Sequence, residues 1–180
     1  MLFGPPAVGK TTIGQCLAET TNFTLLHSHM IIDIVTEFFP FGSERFWTLL
    51  GEFHNRIQEE MAAEGRNLIT TNIWNFENST DAEHVETMLQ RVRARGGEMF
   101  FVELNAPLDD RLERNSTVNR IRSKKTDWAT PGYLQEWDEI HENASMGRFP
   151  YPNQHLVLDT TKYSAIEAAS RIKRFFMLEN

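Results

Sequence analysis

Cysteine and positive charge are both scarce in this sequence. Cys16 is the single cysteine, and 18 lysine and arginine residues stand against 25 aspartate and glutamate residues, which gives a formal net charge of −7. One cysteine cannot form an intramolecular disulfide or a multi-cysteine zinc site, so the composition favours a reducing compartment and predicts a cytoplasmic protein. The acidic balance disfavours general electrostatic binding to DNA, RNA or anionic lipid. We therefore expect no nucleic-acid partner.

Long hydrophobic runs are missing as well. No stretch approaches the roughly 18 consecutive apolar residues that a membrane span requires, and the first residues lack the apolar core of a signal peptide. We therefore expect no membrane partner. Apolar material is nevertheless plentiful, because hydrophobic residues make up 41% of the 180 residues and include 13 phenylalanines and 4 tryptophans. This length and composition predict one globular domain over residues 1–180, as a monomer or a homodimer.

Short apolar runs alternate with amphipathic segments along the chain, which is typical of an α/β fold with a parallel sheet. The predicted strands are 2–3, 24–27, 67–72, 98–104 and 155–159, and the predicted helices include 10–19, 30–39, 46–61 and 85–92. Thr130 before Pro131 predicts a further helix start, and the pair Ser164 and Glu167 predicts a capping box for the last helix. Only three residues precede the first glycine, where a strand of about five is usual, which indicates a clipped first strand.

The sharpest signal is a glycine-rich loop where the first predicted strand meets the first helix. Residues 4–11 read GPPAVGKT, a full match to the pattern G-x-x-x-x-G-K-S/T. The glycines let the backbone curl so that its N–H groups face phosphate oxygens, and the following helix adds the positive end of its dipole. Lys10 is expected to neutralise the β and γ phosphates of ATP, and Thr11 to place its hydroxyl on Mg²⁺. The predicted ATP-binding residues here are Gly4, Pro6, Ala7, Val8, Gly9, Lys10, Thr11 and Thr12.

The glycine-rich loop and the order of strands and helices resemble those of the P-loop small-molecule and nucleotide kinases. Within these kinases, the chain resembles the shikimate-kinase-like group. The resemblance implies a three-layer α/β/α fold with a five-stranded parallel sheet, a basic lid at about residues 115–130, and Thr160 beside the adenine. The acceptor side departs from the group: residues 27–29 read His-Ser-His instead of Asp-x-Asp, and residues 70–72 read Thr-Thr-Asn instead of three glycines. Since the missing residues hold shikimate in that group, we do not expect shikimate to be the acceptor.

Candidates for binding the acceptor follow the second and third strands. The resemblance places Asp33 about where these kinases hold the acid that orients the acceptor hydroxyl or a Mg²⁺-bound water, although a solvated position on a short helix is the alternative. His29 is favoured over His27 because residues at the carboxyl ends of parallel strands face the ligand crevice. Two histidines spaced H-x-H can also ligate a metal, but the sequence shows no third ligand in a clear pattern.

Three further residues are candidate substrate contacts. Asn72 and Trp74 follow the third strand, and an amide with an indole suits a ring-bearing substrate, although Trp74 fits the hydrophobic core equally well. Arg56 lies in the stretch Asn-Arg-Ile-Gln-Glu, which partly matches the Phe-Arg-x-x-Glu of the substrate helix in the shikimate-kinase-like group. The resemblance therefore makes Arg56 a candidate for an anionic or polar group of the substrate.

A basic segment stands out in the otherwise acidic chain. Residues 111–125 contain six basic residues and one acid, which indicates a helix that runs into a basic loop. Arginines that arrive with a closing lid stabilise the charge of a transferring phosphoryl group, and Arg120 and Arg122 are the candidates. The resemblance makes Arg111 the arginine that stacks on adenine, and we expect Arg114 to lie on a charged helix surface.

These observations predict an ATP-dependent kinase that phosphorylates a hydroxyl or phosphate of a small molecule, with Mg²⁺ as cofactor. The predicted catalytic residues are Lys10, Asp33, Arg120 and Arg122. The alternative is a P-loop nucleotide-binding protein or ATPase that performs no small-molecule transfer. It gains weight because no aspartate ends the third strand, where many P-loop proteins place a second acid linked to Mg²⁺.

Overall fold

The computed structural model describes residues 1–116 and 130–178. The predicted lid arginines Arg120 and Arg122 therefore lie outside the described residues. The strands are β1 (Leu2–Phe3), β2 (Thr24–Leu26), β3 (Leu68–Asn72), β4 (Phe101–Asn105) and β5 (His155–Asp159). The helices are α1 (Lys10–Glu19), α2 (Ser28–Thr36), α3 (Glu44–Ala63), α4 (Ser79–Arg93), α5 (Leu108–Asn115), α6 (Pro131–Ile140) and α7 (Ala165–Phe175).

The five strands form one parallel sheet in the order β2-β3-β1-β4-β5. The predicted α/β fold with a five-stranded parallel sheet is confirmed. The short strand β1 occupies the centre, where Leu2 is opposite Thr71 of β3 and Val102 of β4. Because all strands are parallel, their carboxyl ends meet at one edge of the sheet, and the loops that follow them lie together there.

The two faces of the sheet carry different cores. Leu2, Val102 and Leu104 face α1 and α7, and they pack with Leu17 and Ile172 from those helices. The opposite face is aromatic and is covered by α4. Its buried members are Phe3, Trp74, Val85, Met88, Leu89, Met99, Phe101 and Phe149. Successive residues of β4 thus alternate between the two cores, as side chains of a strand must.

Local signals fix the helix starts that the sequence predicts. The Thr130 hydroxyl accepts a hydrogen bond from the N–H of Tyr133, and Ser164 and Glu167 form the reciprocal capping box. None of the helices in the described part of the chain combines the length and the apolar character that crossing a bilayer requires.

Candidate active site

The phosphate loop is the turn of residues 4–9 that joins β1 to α1, and its backbone is bent into the left-handed region at three positions. Gly4 has φ 141°, and a Cβ atom there would lie 2.2 Å from the carbonyl oxygen of Leu104, so the position admits only glycine. Gly9 has φ 104° at the start of α1, and Ala7 has φ 64°. For Ala7 this conformation costs about 1 kcal/mol, which the surrounding structure must offset.

The amino terminus of α1 is open toward the loop. Gly9 caps this helix without a side-chain hydrogen bond, so the first N–H groups and the positive end of the helix dipole face the loop, an arrangement that suits an anion. The Lys10 ammonium donates hydrogen bonds to the carbonyl oxygens of Gly4 (2.7 Å) and Pro5 (2.8 Å). Its positive charge therefore lies against the loop, where the motif places the phosphates.

A cavity of about 140 Å³ separates the phosphate loop from the ends of β2 and β3. One wall is the loop with Lys10, Thr11 and Thr12. The other wall consists of Ser28, His29, Ile32, Thr71, Asn72 and Ile73. The structure thus brings the predicted residues His29 and Asn72 to the same cavity as the predicted phosphate-binding residues.

Two hydrogen bonds fix the far wall of this cavity. The Ser28 hydroxyl donates to the carbonyl oxygen of Thr71 (2.6 Å), and the Ser28 N–H donates to the Thr71 hydroxyl (3.2 Å). They join the amino terminus of α2 to the end of β3, so that His29 and Asn72 are presented from neighbouring elements. The sequence analysis missed Ser28 and Thr71, although both are hydroxyl residues at strand ends.

Asp33 lies half-buried on α2, beside this wall but not among the residues that line the cavity. Its Oδ1 atom is buried and has no hydrogen-bond partner within the described residues. Burial lowers the pKa of the nearby His27, and the negative charge of Asp33 acts in the opposite direction.

Within residues 1–116 and 130–178, no group of three His, Cys, Asp or Glu side chains is placed to hold a metal ion. The structure therefore offers no support for the H-x-H pair as a metal site.

Trp74 and Arg56 do not reach the cavity. Trp74 is only 2% exposed, and its ring lies 5.0 to 5.4 Å from the rings of Phe3, Phe76 and Phe149. The core role, which the sequence left open, is the one the structure shows, because the chain after β3 turns inward against α4. The Arg56 side chain is 74% exposed on α3 and pairs with Glu60 at 2.5 Å, one turn along the helix. Trp74 is therefore a core residue, whereas substrate binding by Arg56 stays a prediction.

Arg111 is buried beside the phosphate loop. It is 2% exposed, and it lines a second cavity, of about 390 Å³, together with Pro5 and Asp159. It donates to the carbonyl oxygens of Ala106 (3.1 Å) and Pro6 (3.3 Å), and it pairs with Asp138 of α6. The helix phase turns this side chain inward, toward the rear of the phosphate loop, and its stacking on adenine stays a prediction.

Arg114, three residues further along α5, reaches the loop after β5. Its guanidinium donates to the hydroxyl (2.8 Å) and the carbonyl oxygen (3.0 Å) of Thr160. The expectation that Arg114 belongs to a charged surface is wrong. Since the resemblance places the Thr160 loop beside the adenine, Arg114 is the arginine that the fold brings to that side.

A buried acid lies below the carboxyl edge of the sheet, at Glu103 of β4. It is 1% exposed, and its Oε1 accepts hydrogen bonds from the N–H of Ser145 (3.0 Å) and from Asn105 (3.2 Å). The His155 Nε2 atom lies 3.0 Å from the other carboxylate oxygen. Burial raises the pKa of Glu103, but the contacts with His155, Ser145 and Asn105 outweigh this and hold it below its ordinary value. The signal missed in the sequence is one acid inside the run Phe-Phe-Val-Glu-Leu.

Comparison with known proteins identifies the fold. No family model and no curated protein matches the chain. Solved structures that match include a sugar kinase from Janibacter sp. HTCC2649 (19% identity, TM-score 0.59, 98% of this chain and 92% of that chain). They also include Acinetobacter baumannii shikimate kinase in complex with shikimate (20%, 0.56, 98% and 90%) and Mycobacterium tuberculosis APS kinase in complex with AMPPNP and APS (15%, 0.62, 98% and 95%). The resemblance that the sequence suggested is thus confirmed at the level of the fold, which is that of the P-loop small-molecule kinases.

Proposed function

We propose that this protein is an ATP-dependent kinase that transfers the γ-phosphoryl group to a hydroxyl or phosphate group of a small molecule other than shikimate. One observation carries the proposal. A strained phosphate loop with its lysine faces, across a cavity of about 140 Å³, a wall of hydroxyl, imidazole and amide side chains. A donor phosphate on one wall and an acceptor group on the other would lie within reacting distance, which is the main requirement of phosphoryl transfer.

The donor side fits ATP and Mg²⁺. The loop offers backbone N–H groups at the start of α1. Lys10 can exchange two neutral carbonyl partners for negatively charged phosphate oxygens, which adds attraction between opposite charges. Thr11 and Thr12 line the cavity beside it, and the Thr11 hydroxyl would hold Mg²⁺. When bound, the metal ion supplies positive charge between the β and γ phosphates. Arg114 and Thr160 would contact the nucleoside end.

The acceptor side fits a polar molecule held by hydrogen bonds. His29 and Asn72 can orient an acceptor hydroxyl, and Asp33, one helical turn after His29 on α2, is proposed to accept its hydrogen bond. Among the described residues, Lys10 is the one lysine or arginine that lines the cavity. Arg120 and Arg122 are proposed to supply further charge to the transferring group.

The direct test measures ADP production from Mg-ATP with a panel of sugars, nucleosides, nucleotides and amino alcohols. We expect the rate of ADP production to rise with the concentration of one class of acceptor. Lys10→Ala should reduce this rate on the order of a hundredfold or more, because it removes charge stabilisation of the transition state. Lys173→Ala, which deletes an equal charge on α7, is the matched control and should keep the rate. Full activity in Lys10→Ala would overturn the assignment.

A second candidate is a nucleotide-binding protein or ATPase that performs no transfer. The observation in its favour is Asn72, an amide at the end of β3 in a position where many P-loop proteins have an acid. This candidate predicts that Mg-ATP binds tightly and that ADP is produced slowly. No member of the acceptor panel would accelerate this production. Acceleration by any one class of acceptor removes it.

A further inference from the structure

Helix α5 sends two arginines to the rear of the phosphate loop. Arg111 and Arg114 are three residues apart and therefore lie on one face of the helix. Arg111 Nη1 donates to the carbonyl oxygen of Pro6 at 3.3 Å. Arg114 Nη1 lies 3.4 Å from the carbonyl oxygen of Val8. The cavity opens on the β3 side of the loop, whereas α5 follows β4 on the other side. The loop is thus held from behind.

These contacts fix the direction of backbone N–H groups. In a planar trans peptide the carbonyl oxygen and the N–H of the next residue point in opposite directions. A Pro6 carbonyl turned toward Arg111 therefore turns the Ala7 N–H away from α5, toward the side where the motif places phosphate. Ala7 adopts a φ of 64°, which alanine rarely does, so its peptide needs an external partner to keep this orientation.

The Arg111 guanidinium is itself held by three partners. Its side chain is 3% exposed, Nε donates to the Ala106 carbonyl oxygen, and Nη2 pairs with Asp138 of α6. Only a planar fork with several donors can satisfy two carbonyls and a carboxylate in three chain segments at once, and a lysine ammonium cannot reproduce this geometry. Because its partners hold the Arg111 guanidinium in one place, this group is suited to position the Pro6 carbonyl.

We propose that Arg111 is a positioning residue of the phosphate loop, and that Asp138 holds Arg111 in place for it. Through the Pro6 carbonyl, Arg111 keeps the Ala7 N–H aimed at a bound polyphosphate, and it makes no contact with the nucleobase. The inference rests on the proposed function in one respect, namely that the loop binds the phosphates of ATP. It gives the ion pair between α5 and α6 a role in ligand affinity.

The test compares two ligands by titration calorimetry with Mg²⁺ present: ATP, and inorganic tripolyphosphate, which has no nucleoside. In Arg111→Lys we expect the affinity for both ligands to fall about tenfold or more. If Arg111 contacted adenine, the substitution would instead weaken the binding of ATP and leave the binding of tripolyphosphate unchanged. That result would overturn the inference. Arg148→Lys, which alters an exposed arginine paired with Glu142, is the matched control and should remain within about twofold of the wild type.

A second variant and a stability measurement separate positioning from a merely structural role. Asp138→Asn keeps the shape of the side chain. It should lower the affinity for tripolyphosphate severalfold without unfolding the protein. If either folded variant shows a lower melting temperature but wild-type affinity for tripolyphosphate, Arg111 is only structural and the inference is wrong. If the wild-type protein binds neither ligand, the proposed function fails first and the inference falls with it.

Discussion

Among the glycines, Gly4 is the one whose identity the structure constrains most tightly. Its φ of 141° and its approach to the Leu104 carbonyl leave no room for a side chain, whereas Gly51, inside α3, has open space around its missing Cβ. The two glycines therefore have opposite roles. The first is required by close packing of backbone on backbone, and the second is a helix interior position where alanine is preferred.

Gly4→Ala is expected to lower the free energy of unfolding by about 2 to 4 kcal/mol, because the loop must move away from β4 to admit the methyl group. The same movement should abolish Mg-ATP binding. Urea denaturation and calorimetry measure the two effects. Gly51→Ala is the matched control and should raise the free energy of unfolding by up to about 1 kcal/mol. Wild-type stability in Gly4→Ala would show that the loop is less confined than the structure indicates.

At the scale of elements, two histidines face each other where α3 packs on α4. His54 is buried, and burial together with the nearby His84 lowers the pKa of His54 to about 4. Burial lowers the pKa of His84 as well. The folded state therefore resists protonation of this pair, whereas the unfolded chain takes up protons near the ordinary value of 6.5.

This pair makes the protein less stable in mild acid. Between pH 6.5 and 4 the unfolded state binds more protons than the folded state, so the stability present above pH 6.5 is lost as the pH falls toward the folded pKa of His54. We expect a loss of about 2 kcal/mol over this range. Urea denaturation at pH 7, 6 and 5 measures it. His54→Leu should flatten the dependence, and an unchanged slope in that variant would contradict the assignment.

The last helix depends on its amino-terminal cap. The Ser164 hydroxyl accepts the Glu167 N–H at 3.3 Å, and the Glu167 carboxylate accepts the Ser164 N–H at 2.9 Å. Ser164→Ala removes one half of this capping box and should lower the free energy of unfolding by about 1 kcal/mol. Ser170→Ala, at an exposed position of the same helix, should change it by less than about 0.5 kcal/mol. Equal effects of the two substitutions would rule out a specific role for the cap.

At the scale of the whole molecule, the sequence predicts what depends on near neighbours and misses what depends on distant ones. The phosphate loop, the bounds of α1 and β5 and the cap at Ser164 follow from residues within one or two turns of each other. The surroundings of Trp74 and Arg111 could not be predicted because their partners, Phe149 and Asp138, lie far along the chain. A long polar or aromatic side chain can face a cavity or a core, and only the packed fold decides between them.

Glu103 connects the centre of the sheet to the segment that follows α6, through the N–H of the buried Ser145 and the contact with His155. Glu103→Leu would leave that N–H and the Asn105 amide unpaired in the core. We expect it to lower the free energy of unfolding by about 3 kcal/mol, since removal of one partner strands the others. Glu103→Gln keeps an acceptor for Ser145 and should cost less, about 1 kcal/mol. Denaturation at pH 7 measures both.

The acid dependence of these variants provides the stricter test. The folded pKa of Glu103 lies below its ordinary value of 4.5, so its contribution is fully present above that pH and is lost as the pH falls through the folded pKa. The difference in stability between wild type and Glu103→Gln should therefore shrink below pH 4.5, which is mostly below the range of His54. A difference that stays constant to pH 3 would mean that the carboxylate charge contributes nothing, and that Glu103 joins the two segments as a neutral hydrogen-bond acceptor.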